Sequence, residues 1–245
     1  MPQLAFAQPG AWLLEEGEGQ LINNFNYYRA AEFVNSAGNK TAVELFEKYE
    51  FNPYVEYGYS NDLTIGGSLA ANSSYNYNSS DDASYSADHA MIFIRSYLYN
   101  NDGFVISLEP SFAVNFKTED DLNPKKQSLA PQLKINYGYT GADYYAESSI
   151  LYSLKSGGAD DKIKADIALG IDVLEDIIFL NQLLAEHMAS SDYANLANYN
   201  LYKAQTSFVW DYNEDYSHQL GLSYDIAGKN TGLGYGIFYS LWYKF

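Results

Sequence analysis

The chain has 245 residues, room for one large β domain or two small ones, and carries a net charge of −17. Its only arginines, Arg29 and Arg95, leave no basic footprint, which excludes a nucleic-acid binder. It has no cysteine for disulfides or thiolate metal ligands, and no run of about 18 apolar residues for a transmembrane helix.

At the N-terminus, Ala5-Phe6-Ala7 before Gln8 has the small-x-small pattern of a secretory cleavage site, so residues 1–7 read as the stub of a signal peptide. Residues 8–18, with Glu15, Glu16 and Glu18, are expected to be a periplasmic lead-in rather than a plug. From residue 19 to 245 a period of two recurs. Alternation of this kind marks strands with one apolar face. Weaker patterns place strands over 19–31, 46–60, 63–72 and 89–99. At 104–117 the pattern is clear: Phe104, Ile106, Leu108, Phe112, Val114 and Phe116 oppose Ser107, Glu109, Ser111 and Asn115. Strands over 128–140 and 144–155 follow. Over 162–173, Ile163, Ala165, Ile167, Leu169, Ile171 and Val173 oppose Lys164, Asp166, Gly170 and Asp172. Segment 177–188 is apolar on both parities and is assigned as a strand from its spacing. Strands over 198–212 and 216–226 precede the last one, 233–245, where Leu233, Tyr235, Ile237, Tyr239, Leu241, Tyr243 and Phe245 share a face.

Short links at 61–62, 100–103, 141–143, 174–176 and 213–215 carry the Asn, Asp and Gly of tight hairpins. Mostly longer links, at 35–45, 73–88, 118–127, 156–161, 189–197 and 227–232, alternate with them. Short turns on one side and long loops on the other predict a closed antiparallel transmembrane β-barrel of about twelve strands, all-β, in a Gram-negative-type outer membrane. An even strand number puts both termini on the turn side, the periplasm. A mean hydropathy below zero fits such a wall, because lumen-facing residues offset lipid-facing ones. The 25 tyrosines suit strands and membrane interfaces. Pro53, Pro110 and Pro131 fall inside strands, where they require a bulge or a frayed rung; an open sandwich is the alternative they raise.

Tyr239, Leu241, Tyr243 and the terminal Phe245 resemble the last strand of bacterial outer-membrane barrels, which in that group is the signal read by the barrel assembly machinery. Gly10-Ala11-Trp12 with Gly17-Glu18-Gly19-Gln20, and the stretch from Tyr57-Gly58-Tyr59 through Leu63-Thr64-Ile65-Gly66-Gly67, resemble the barrels grouped as the MetA pathway of phenol degradation. The resemblance implies uptake of small, often hydrophobic compounds. No site motif is carried over.

The inward parity collects the candidate lumen residues: Lys48, Glu50, Glu56, Arg95, Glu109, Lys134, Glu147, Lys155, Lys164, Asp166, Asp172 and Lys203. Two readings stay open. A polar conduit selects solutes by its charges, whereas a structural network fills a narrow barrel. A tight turn at 101–103 predicts Arg95 opposite Glu109. His89, His187 and His218 lack the neighbouring serine arrangement of an outer-membrane phospholipase, so no enzyme, cofactor or metal site is expected. Asp81, Asp82, Glu119, Asp120, Asp121, Asp160 and Asp161 would face the cell surface beside lipopolysaccharide, and are read as solvated loop residues rather than cation ligands. The function predicted is a passive channel for small molecules, the solute unknown; a non-conducting structural or surface-interaction barrel is the alternative.

Overall fold

A computed structural model describes residues 10–76, 84–116, 128–154, 161–188 and 198–245. Twelve strands follow in chain order: β1 (Gly19–Val34), β2 (Lys40–Ser60), β3 (Leu63–Asn76), β4 (Ser84–Asn101), β5 (Phe104–Asn115), β6 (Ser128–Thr140), β7 (Tyr144–Ser153), β8 (Lys162–Leu174), β9 (Ile177–Met188), β10 (Tyr199–Asp211), β11 (Tyr216–Lys229) and β12 (Thr231–Lys244). Each pairs antiparallel with its sequence neighbours, and β12 closes on β1 from Gln20↔Lys244 to Val34↔Thr231. Closure removes the edge, so every strand can pair its backbone in a solvent that offers no hydrogen bonds. An open sandwich is thereby excluded.

The prolines sit where the ladder lapses. Pro53 pairs with Asn23 on β1, but on its other side the β2–β3 ladder skips from Phe51↔Ala71 to Tyr54↔Ser68. Pro110 faces the same kind of gap, between Phe93↔Ser111 and Ser96↔Leu108. Pro131 lies one residue beyond the last β6–β7 pair, Gln132↔Ser153. Each missing N–H therefore costs no rung that was otherwise made.

Three loop-side connections differ from expectation. β1 and β2 extend to Val34 and Lys40, so the link shrinks to a turn held by Asn35, whose Oδ1 accepts from the N–H groups of Ala37 and Asn39. β3 and β4 likewise run on to Asn76 and Ser84. The expected link at 227–232 reduces to Asn230, at φ 51°. In these upper rungs polar residues replace the apolar alternation, as at Arg29 and Lys40, so pairing continues where that alternation has stopped. On the opposite side, Asp102 and Gly103 both take positive φ (51° and 78°), the requirement of a two-residue hairpin that matches strand twist.

Outward side chains form the lipid face. On β2, Tyr49 and Tyr57 bracket Phe51 and Val55, all exposed. Their separation projects to about 20 Å at about 3.3 Å per residue and about 40° of tilt, near the height of an apolar membrane band. Aromatic fringes mark both borders: Tyr49, Tyr75, Tyr152, Tyr202 and Tyr224 on the loop side, and Tyr57, Tyr99, Phe104, Tyr144 and Tyr216 on the turn side. His218 belongs to the latter. Its ring stacks on Trp210 (5.2 Å between centroids), and its Nδ1 lies 2.8 Å from the Tyr239 hydroxyl. Mid-strand Ile167 is 59% exposed and turn-end Leu174 is 65% exposed. Ile167→Arg should therefore cost about 2–4 kcal/mol and Leu174→Arg about 0–1, read from urea midpoints of the barrel in lipid vesicles. Equal costs would place the lipid band elsewhere.

Candidate functional site

The inward face is not uniform along the barrel axis. Its turn-side half is packed. Ile22, Tyr54, Phe93, Tyr145, Ala168, Ile178, Leu180, Val209 and Trp242 form a buried apolar cluster, against which Trp12 and Met91 pack. This explains why β9 is apolar on both parities: Ile178 and Leu180 face this cluster while Phe179 and Leu183 face lipid.

Residues 10–18, expected to be a simple lead-in, instead fold back into this half. Gly17, at φ 90°, allows the reversal, and Gly17 N–H and Gly58 N–H bond to the carbonyls of Gly58 and Glu18 respectively (both 2.9 Å). From there the segment runs inward across the wall. Leu14 N–H donates to Thr64 Oγ1 (3.0 Å), Leu13 N–H to the Tyr97 hydroxyl (2.9 Å) and Ala11 N–H to Glu147 Oε1 (3.3 Å). The Trp12 ring meets Tyr145 edge-on, 6.5 Å between centroids. The wall makes room with inward glycines: a Cβ on Gly58 would lie 1.9 Å from the Glu15 carbonyl oxygen, and one on Gly138 would lie 2.6 Å from Trp12 Cη2. The segment therefore packs against the inner wall, and the signal for it is the pairing of a tryptophan in a polar lead with glycines on the inward parity.

Arg95, fully buried, ties the segment to the wall. Its Nε donates to Glu109 Oε2 (2.8 Å), Nη1 to Glu56 Oε2 (3.1 Å) and to the Trp12 carbonyl (3.0 Å), and Nη2 to the Tyr54 hydroxyl (3.2 Å). Tyr54 in turn donates to Glu56 (2.7 Å). The Arg95–Glu109 pair expected from the hairpin is present, with Glu56 as a third charge. Such a network suits a site closed to water, since Arg95 makes four bonds, Glu56 accepts two and Glu109 is paired to the guanidinium.

The loop-side half holds an open cavity of about 1170 Å³ between β2, β1, β12, β11 and β10. Lys48 Nζ bonds to Glu50 Oε2 (2.5 Å) on one side of it, and Lys203 Nζ stands 3.7 Å from Asp225 Oδ1 on the other. On the far wall Glu186 bridges Lys162 (2.7 Å) and Lys164 (3.1 Å), and Ser149 donates to Asp166. Lys134 lies beside Glu109 in register. Asp172 sits apart at the turn end of β8, its Oδ1 accepting no hydrogen bond. Lys155 lies outside the described residues, as do the signal stub and the loop acids apart from Asp161, which accepts from the Tyr152 hydroxyl (2.6 Å). Glu186 escaped the parity reading because β9 has no polar face, and Tyr28, Tyr54 and Trp12 because uncharged residues carry no lumen signal.

At the seam, Gly19 and Phe245 exchange backbone bonds (2.6 and 2.9 Å). Tyr239, Leu241 and Tyr243 face outward, and Tyr243 stacks with Tyr216 (5.0 Å) and Phe245 (5.6 Å).

A closed antiparallel barrel with an aromatic-fringed apolar exterior and a charged interior is an outer-membrane β-barrel, and the chain has that fold. It is similar to an outer membrane channel from Pseudomonas putida F1, with a TM-score of 0.81 at 11% identity over 98% of this chain and 100% of that one. It is also similar to the NanC porin (TM-score 0.58, 12% identity, 91% and 98% covered). A third likeness is to the translocator domain of the autotransporter NalP from Neisseria meningitidis (0.57, 11%, 95% and 90%). At these identities the likeness establishes the fold. No family model matches the chain, and no curated protein matches it in sequence.

Proposed function

We propose that the protein is a passive outer-membrane channel for small molecules, closed in this conformation by its own N-terminal segment. The carrying observation is the asymmetry of the lumen: a cavity of about 1170 Å³ on the loop side, above a layer completed by residues 10–18. A barrel serving only as a membrane anchor needs neither an open chamber nor a separately docked closure. The fold it shares with a channel and a porin supports this reading. The resemblance to the MetA-pathway barrels adds small hydrophobic or aromatic compounds as cargo, and Tyr28, Phe46 and Phe238 in the cavity wall suit them. Tyr239, Leu241, Tyr243 and Phe245 serve as the signal for the barrel assembly machinery, with outer-membrane lipid and lipopolysaccharide around the finished wall.

The alternative, a non-conducting barrel, draws on the complete burial of Arg95 and Trp242. Planar-bilayer recording of the refolded protein separates the two. The channel reading expects small, intermittent current steps. Silence from both the intact protein and a plug-expelled variant, with folding confirmed by heat-modifiable gel mobility, supports the structural barrel.

A further inference from the structure

We infer that the loop-side cavity contains a recognition site for a small organic ammonium ion carried on an aromatic body, built from Asp225 and Tyr28. The inference rests on the channel reading for this cation being cargo, but its measurement does not require conduction.

Asp225 is only 2% exposed, and its two oxygens are treated differently. Oδ2 accepts from the Tyr28 hydroxyl (2.6 Å) and from Gly234 N–H (3.0 Å). Oδ1 accepts no hydrogen bond. A buried carboxylate oxygen left without a donor is costly, and its presence marks a place where a donor is meant to arrive. The site is assembled across three strands. Tyr28 on β1 reaches Asp225 on β11 over the intervening β12, where Gly234 leaves the path clear; a Cβ there would lie 2.8 Å from Tyr28 Cζ and 2.1 Å from the Arg29 carbonyl oxygen.

Lys203 shows what the site attracts. Its Nζ lies 5.5 Å from the centroid of the Tyr28 ring and 3.7 Å from Asp225 Oδ1. An aromatic face beside a carboxylate is the arrangement that recognises ammonium groups. Yet at 3.7 Å the lysine makes no hydrogen bond. Lys203 is the direct cross-strand partner of Asp225, next to a register shift between Tyr202 and Lys203, and its ammonium rests over the Tyr28 ring short of bonding distance to Oδ1. Its side chain remains 27% exposed, so it can swing into the cavity. A free ammonium is not tethered in this way and can approach Oδ1 to bonding distance.

The surrounding charge favours the same sign. Glu32, Glu44, Glu50 and Asp225 line the cavity against Lys48 and Lys203, and Lys48 is already held by Glu50 at 2.5 Å. Glu32 is paired with Lys40 at the rim (3.4 Å), so four carboxylates face three ammoniums and a net negative charge remains, which favours cations over anions.

The test uses the full chain refolded in zwitterionic micelles, with 2-phenylethylammonium as probe and phenylacetate and 2-phenylethanol as ring-matched controls. Calorimetric titration, corrected for empty micelles, is expected to show binding of the ammonium ahead of both controls. Asp225→Asn should weaken it about tenfold or more, the scale of a lost charge-assisted bond. Lys203→Met should tighten it several-fold by removing the competing ammonium, a result that a purely structural salt bridge does not produce. Should Asp225→Asn fail to fold, Tyr28→Leu takes its place and should also weaken binding. Phenylacetate binding as well as the ammonium, or weaker ammonium binding in Lys203→Met, overturns the site. Bilayer silence combined with the expected titrations overturns the channel reading while leaving the ammonium site standing.

Discussion

Arg95→Met is expected to destabilise the folded barrel by about 3–5 kcal/mol, the cost of removing one partner from a buried ionic cluster. The cost arises from what is left behind. Glu56 and Glu109 lose their cation while still enclosed, and the Tyr54 hydroxyl and the Trp12 carbonyl each lose a donor. Adding Glu56→Gln and Glu109→Gln to Arg95→Met should recover most of the loss, because neutral amides tolerate burial far better than unpaired carboxylates. The exchanged pair, Arg95→Glu with Glu109→Arg, separates the sequence-level picture from the structural one. An isolated Arg95–Glu109 pair predicts recovery on exchange. With Glu56 within 3.1 Å of the guanidinium, the exchange sets a carboxylate at 95 against Glu56, and stability stays low. Urea midpoints in micelles, with gel mobility as the readout of folding, decide between them. An unchanged midpoint for Arg95→Met, or full recovery on exchange, refutes the three-charge cluster.

The reason Glu56 was seen as a lumen residue but not as Arg95's partner is geometric. Parity assigns a side chain to a face, and a hairpin turn fixes its level relative to the next strand. Arg95 and Glu109 belong to one hairpin, where the two-residue turn at Asp102 and Gly103 and the bulge between Tyr97 and Tyr99 together set their level. Glu56 belongs to β2, which reaches β4 only through β3, and their meeting depends on the tilt and curvature of the whole wall. The same distinction separates the legible from the illegible elsewhere. The lipid face was readable because lipid imposes one chemistry on every outward residue of the band. Beyond the band that constraint ends, so the extensions of β1, β2, β3, β4 and β11 left no alternation to read. Inside, Ile178 and Leu180 are apolar because they join the buried cluster, while Gln182 on the same face is polar, and no local rule distinguishes them. Asp225 stands on β11, but its role depends on Tyr28 and Lys203, which come from two other strands.

Expelling the plug is expected to produce the largest change in behaviour. Gly58→Val with Gly138→Ala places new atoms where the segment now lies, 1.9 Å from the Glu15 carbonyl oxygen and 2.6 Å from Trp12 Cη2. Neither glycine has positive φ, and side chains on strands of ordinary conformation suit the wall itself. At Gly58 the overlap falls on the segment alone; at Gly138 it also meets Val105 Cγ2 of β5 (2.7 Å), a side-chain end that must shift while the ladders hold the wall. The segment is held at its base by the Gly17–Gly58 and Gly58–Glu18 backbone bonds and by Glu16 N–H to Asn61, and further in by bonds from Ala11, Leu13 and Leu14 and to the Trp12 carbonyl, each worth about 0.5–1.5 kcal/mol net. Burial of the Trp12 ring adds about 1.5–3 kcal/mol. The wall is held by continuous ladders on both sides of β2 and β6. The variant should stay folded, show Trp12 emission shifted to the red and open to acrylamide, and pass several-fold more current per step than the intact protein. Comparison with the same variant carrying Trp12→Phe isolates that emission from Trp210 and Trp242. Exposed Trp12 with unchanged current would move the closure from the plug to the layer of Arg95 and Trp242 beneath it. A buried Trp12 in a folded variant would show that the segment is gripped more tightly than its bonds account for. Only the combination of an exposed tryptophan and a larger current makes residues 10–18 the element that separates the loop-side chamber from the periplasm.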